Sequence, residues 1–115
     1  MPSRITREDL QARMAGRDGP VLVEALGAAF YADAHLPGAI NMTPAQVDRL
    51  AASLVPDRAV PTVVYCSGSC SSADAVARRL HELGYTDVAV YGGGKEDWVE
   101  HGLAVERSDA SDPQA

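Results

Sequence analysis

Short apolar runs alternate along this chain with stretches in which apolar residues recur every three or four positions. Val21-Leu22-Val23 is a continuous apolar run, the pattern of a strand buried on both faces. Leu36 to Asn41 contains a Pro-Gly turn leading into a second short strand, and Thr62–Tyr65 and Val88–Tyr91 read as two more. Between them lie helical signals. Thr6 is an N-cap followed by acidic residues, with Ile5, Leu10 and Met14 as an apolar stripe and Gly16, Asp18-Gly19-Pro20 as the stop. Gly27 to His35 reads as a short helical turn carrying Phe30 and Tyr31. Thr43-Pro44 places an N-cap before a proline at the first helical position, and the helix runs through Val47, Leu50 and Leu54 to stop before Pro56. From Ala73, apolar residues at 73, 76, 77, 80 and 83 share one helical face, with Gly84 as the stop. Gly92-Gly93-Gly94 permits a tight turn, and Lys95 to His101 is a last short helix holding Trp98. Strands alternating with helices predict an α/β fold, a mostly parallel sheet with helices on both faces. In such sheets ligands bind at the carboxyl ends of the strands.

One strand ends in chemistry. Thr62-Val63-Val64-Tyr65 runs into Cys66, and the small residues Ser67-Gly68-Ser69-Cys70-Ser71-Ser72 separate it from the helix at Ala73. A sulfur placed there faces converging backbone N–H groups and the positive end of a helix dipole. Thiolate is the reactive form of cysteine, and such a setting lowers a thiol's pKa. The stretch predicts a sulfur-chemistry enzyme with Cys66 as nucleophile, against the alternative of a buried core thiol.

Composition narrows the field. With 115 residues the chain is long enough for one domain that buries roughly two-thirds of its unfolded surface. Its formal net charge of −6 argues against nucleic acid or an anionic membrane as partner, because both select basic patches. There is no apolar signal-peptide core and no apolar run long enough for a membrane span, so a cytoplasmic location is expected. Two cysteines this close make no disulfide framework, and His35, His81 and His101 have no ligand-type spacing to them, so no metal or cofactor is expected.

Four segments carry a resemblance to the single-domain rhodanese-like sulfurtransferases. His35-Leu36-Pro37-Gly38-Ala39-Ile40-Asn41 resembles the family's H-[IL]-P-G-A-x-[NH] motif, and Val63-Val64-Tyr65-Cys66 the strand leading to its persulfide-forming cysteine. Leu83-Gly84-Tyr85-Thr86-Asp87-Val88 resembles the connection L-G-[YF]-x-x-V. Gly93 to Trp98 with Gly102 to Val105 resembles the closing G-G-x3-W…G-[LY]-P-[VL] motif. The resemblance implies a five-stranded sheet over residues 1–105, and residues 106–115, rich in Ser, Asp, Pro and Gln, read as a disordered tail. It also implies a two-step reaction. Cys66 takes the outer sulfur of a donor such as thiosulfate, a persulfide or a polysulfide, and then gives it to cyanide, a thiol or a protein cysteine. Ser67, Gly68, Ser69, Cys70, Ser71 and Ser72 would bind substrate, since small residues can turn N–H groups toward an anion.

The departures from the family pattern also matter. The usual D-[VA]-R after the first central strand is here Glu24-Ala25-Leu26, so a carboxylate remains and the arginine is lost. The cysteine loop holds no positive charge, and Arg78 and Arg79 lie at least a turn down the helix. A missing charge-assisted contact costs roughly 1.5–3 kcal/mol, so thiosulfate is expected to be a poor donor. The C-x5-R loop of phosphatases and arsenate reductases on this fold would need arginine where Ser72 stands, which excludes phosphoryl transfer. Cys70 reads either as a small loop residue or as a thiol that resolves the persulfide or pairs with Cys66, which requires Cα atoms within about 7 Å. The alternative to an enzyme is a partner-binding or redox-sensing module that uses Cys66 and Cys70. His35 is expected to fix its turn, Glu24 to be a structural carboxylate bonded to backbone N–H groups, and Trp98 and Tyr91 to pack. Asp57-Arg58 and Lys95-Glu96-Asp97 read as surface charge, and His81 and His101 as solvated.

Overall fold

A computed structural model describes residues 3–16, 19–67 and 70–107. Five parallel strands form one sheet in the order β1-β5-β4-β2-β3: β1 (Ser3–Ile5), β2 (Val21–Glu24), β3 (Ile40–Asn41), β4 (Thr62–Tyr65) and β5 (Val88–Tyr91). Four α-helices connect them, α1 (Arg7–Met14), α2 (Ala28–Asp33), α3 (Val47–Leu54) and α4 (Ser72–Glu82), and α5 (Gly94–Glu100) follows β5. The expected α/β architecture is therefore present, with every ladder parallel. The fifth strand is β1, a segment whose Ile5 reads in the sequence as part of the first helix's stripe. Ile5 instead pairs with Tyr91 across the β1–β5 edge, and α1 begins after the Thr6 cap, whose hydroxyl accepts from the Asp9 N–H at 3.1 Å.

The strands bury alternate residues in two cores, as a period of two requires. Val23, Val64, Cys66, Val88 and Val90 face α3 and α4, whereas Leu22, Val63, Tyr65, Ala89 and Tyr91 face Leu10 of α1 and Trp98 of α5. The stripe Ala73, Val76, Ala77 and Leu80 packs α4 onto the first of these faces. Burying a side chain the size of Val76 or Leu80 stabilises by about 1.5–3 kcal/mol. Gly84 then ends the helix at φ +99°, a conformation that suits glycine. Tyr85 follows, and its hydroxyl bonds the carbonyls of Ala51 (3.0 Å) and Val55 (2.5 Å), tying the end of α3 to this corner. Pro44–Gln46 forms a 3₁₀ turn rather than the first turn of α3, held by the Gln46 side chain accepting from the Thr43 N–H at 3.0 Å.

His35 and Glu106 exchange backbone hydrogen bonds of 2.9 and 2.8 Å in an isolated antiparallel bridge, so Glu106 is tied to the domain. Of the expected tail, residues 108–115 lie outside the described residues, as does Asp18 of the expected helix stop. No described helix is long and apolar enough to cross a membrane.

Candidate active site

Strand β4 is central in the sheet, and its polypeptide continues directly into Cys66, which is 3% exposed. The Cys66 carbonyl accepts from the Lys95 N–H at 2.7 Å, so the start of α5 fixes the backbone at the strand's end. A turn follows in which the Cys70 N–H donates to the Ser67 carbonyl at 3.2 Å. The Cys66 sulfur lies 3.3 Å from the Ser67 oxygen and 3.4 Å from the Cys70 oxygen. Cys66 and Cys70 are joined by a disulfide, with Cα atoms 6.4 Å apart, inside the separation that such a bond requires.

A cavity of about 160 Å³ opens at this point, lined by Cys66, Ser67, Cys70 and Ala73 on one side and by Val90, Tyr91 and Gly92 at the end of β5 on the other. Of the loop residues expected at the site, Cys66, Ser67 and Cys70 line this cavity. Ser71 stands at the N-cap position of α4, without a side-chain capping bond, Ser72 opens the helix, and Gly68 and Ser69 lie outside the described residues.

Two more side chains complete the cavity wall: Arg4, from β1, and Asp74, from the first turn of α4, paired at 2.8 Å. The expectation of a site without a cation is therefore corrected. The loop itself supplies none among its described residues, but the neighbouring edge strand does. Parallel pairing sets Arg4 beside Val90, at the cavity's rim. No periodicity marks it, and the clue in the chain is only that a fifth strand must come from somewhere. Arg78 and Arg79 are exposed on α4, where Arg79 binds Asp48 at 2.6 Å.

Below the cysteine lies a buried polar network. Glu24 is fully buried, as a structural carboxylate should be, but its side chain is held by other groups than the expected backbone N–H donors. The Tyr65 hydroxyl donates to it at 2.8 Å and the Lys95 ammonium at 3.0 Å. Burial and the adjacent Glu24 charge raise the Tyr65 phenol far above its ordinary range. Lys95 is accordingly no surface charge. Its ammonium also donates to the carbonyls of Phe30 (2.8 Å) and Ala34 (2.6 Å). The signal for this was a carboxylate in an otherwise apolar strand, since a buried carboxylate calls for a cation.

Asp97 is likewise engaged, accepting from Tyr91 at 2.5 Å, with Arg7 at 3.4 Å. The Tyr91 hydrogen bond first, and Arg7 second, hold its carboxyl below the ordinary value. Its side chain fills the space beside Gly93, where a Cβ would sit 2.8 Å from the Asp97 Cβ. His35 fixes its turn, stacking on Tyr31 with centroids 4.0 Å apart and placing Nδ1 2.8 Å from the Tyr31 carbonyl. Trp98 packs in the core and donates to Ala104 at 2.8 Å. His81 is exposed, while His101, also exposed, sets its Nδ1 2.8 Å from the Asp97 carbonyl.

Comparison with known proteins places the fold in a family. The chain is 27% identical to the thiosulfate:glutathione sulfurtransferase of Saccharomyces cerevisiae over 83% of its own length and 76% of that protein's. It is 31% identical to a solved thiosulfate sulfurtransferase from Pseudomonas aeruginosa, with a TM-score of 0.82 over 92% of the chain, though it spans only 20% of that protein. The BH2092 protein of Bacillus halodurans shares the fold at a TM-score of 0.83 and 23% identity, covering 92% of this chain and 77% of its own. The profile of the rhodanese-like domain matches residues 6–101, and the chain belongs to that family.

Proposed function

We propose that the protein is a sulfurtransferase that carries sulfane sulfur as a persulfide on Cys66. The Cys66 thiolate attacks the outer sulfur of a donor of the thiosulfate type. The S–S bond of the donor breaks, sulfite leaves with the bonding pair, and the enzyme holds Cys66–S–S⁻. A small thiol of the glutathione type, cyanide or a protein cysteine then attacks the terminal sulfur and restores the thiolate. The yeast relative's name motivates thiosulfate and glutathione as the first pair to try.

The observation that carries this reading is the position of Cys66, at the end of the central strand, in a cavity that also receives the first turn of α4 and Arg4. The helix N-terminus and the guanidinium are the groups that favour an anionic donor and an anionic persulfide there. Arg4, though paired with Asp74, is a cation at the cavity rim that the loop itself lacks among its described residues, and it weakens the premise on which thiosulfate was expected to be a poor donor.

Intact-mass measurement on the reduced protein tests the proposal. Thiosulfate, glutathione persulfide or polysulfide should add one sulfur atom that cyanide removes, and Cys66→Ser should gain none. Absence of any gain with all three donors would sink the enzyme and leave a partner-binding or redox-sensing module.

A further inference from the structure

The persulfide cycle above needs one thiol, yet the cavity holds two. Cys70 is partly exposed where Cys66 is buried, and the two sulfurs meet inside the same cavity wall. Their Cα atoms are 6.4 Å apart, so the pair bonds within the backbone frame the structure shows. A disulfide between cysteines four positions apart closes a short loop and restrains the unfolded chain less than a long-range bridge would. The turn also has a backbone bond of its own, from the Cys70 N–H to the Ser67 carbonyl at 3.2 Å.

We infer that Cys70 resolves the Cys66 persulfide, so that the protein reduces sulfane sulfur to sulfide in addition to transferring it. The inference rests on the persulfide reading of Cys66. In the step, the Cys70 sulfur attacks the inner sulfur of Cys66–S–S⁻. The Cys66 Sγ–sulfane bond breaks and the Cys66–Cys70 bond forms. The sulfane sulfur leaves with the electron pair and takes the Cys70 proton, departing as HS⁻. The two cysteine sulfurs are oxidised to the disulfide and the sulfane sulfur is reduced to sulfide, a balanced two-electron exchange. Two equivalents of a low-molecular-mass thiol then reduce the disulfide. They attack at Cys70, the more exposed residue of the pair, which returns Cys66 as the leaving thiolate. The net reaction with thiosulfate consumes two thiols and yields sulfite, hydrogen sulfide and one external disulfide.

The test uses fully reduced protein, freed of reductant and given thiosulfate without added thiol, then quenched with an alkylating agent. The wild type should release one sulfide per chain and end with neither cysteine alkylated, while a sample without thiosulfate keeps both cysteines free. Cys70→Ser and Cys70→Ala should keep the extra sulfur on Cys66, with sulfide release slower by more than about tenfold. A wild type that retains the extra sulfur while Cys70 is alkylated would overturn the inference, as would recovery of that sulfur on Cys70 by peptide mapping. A reduced wild type that neither gains sulfur nor releases sulfide with thiosulfate, glutathione persulfide or polysulfide would instead remove the persulfide reading, and this inference with it.

Discussion

Arg4 and Asp74 form a pair in which each charge largely cancels the other at the cavity's rim, and both side chains are well exposed to water. An anionic donor meets a guanidinium already engaged at 2.8 Å, so its contact adds less than a free arginine would give. Replacing Arg4 with Gln should raise the KM for thiosulfate by about tenfold and leave kcat within about twofold, because the contact is to the anion's charge and not to the reacting sulfur. Asp74→Asn should do the reverse and lower KM, since it unmasks the cation. Steady-state kinetics on the two variants decide the matter, and identical KM values would show that Arg4 plays no part in donor binding. Cys66 was legible in the sequence because strand, small-residue loop and helix follow one another within a dozen positions. Arg4 was not, because it reaches the cavity only through the lateral order of strands, which no local spacing records.

At the scale of elements, Lys95 ties α5 to three others, β2, α2 and the end of β4. Its ammonium binds Glu24 at the end of β2 and the carbonyls of Phe30, inside α2, and Ala34, its C-cap, and its N–H binds the Cys66 carbonyl just past β4. Replacing it with Met strands a fully buried carboxylate, and loss of one partner of a buried pair costs about 3–5 kcal/mol. Chemical denaturation should show that loss for Lys95→Met, and adding Glu24→Gln should recover a large part of it. Retention of wild-type stability by the single variant would mean that the pair is dispensable. β4 and β5 were legible as short apolar runs buried on both faces, and α4 from the period of its single apolar face. Three-residue β1 offered too short a pattern, and Ile5, one apolar residue near a helix start, fitted either element.

For the molecule as a whole, acid sensitivity follows from where carboxylates are held. Asp97 titrates below its ordinary value because Tyr91 and Arg7 stabilise its charged form, and Asp48 does so because of Arg79. A carboxylate depressed in the folded state stabilises the fold above its unfolded pKa, and that share is lost as pH falls through the folded value. Thermal midpoints should therefore hold steady near neutrality and fall as pH drops below about 4. Asp97→Asn should give a shallower acid limb, and an acid limb parallel to the wild type's would show that Asp97 is not a contributor. The global architecture was the most legible level of all, since alternating strands and helices admit few topologies.

The bond from the Lys95 amide to the Cys66 carbonyl has a practical consequence. Amide resonances respond to the polarity of the carbonyl they bind, and this carbonyl belongs to the residue whose sulfur reacts. A protein labelled with nitrogen-15 only at lysine gives a single cross-peak, since Lys95 is the chain's one lysine. Sulfur chemistry at the end of β4 can then be followed in real time, without a chromophore, a quench or a coupled assay.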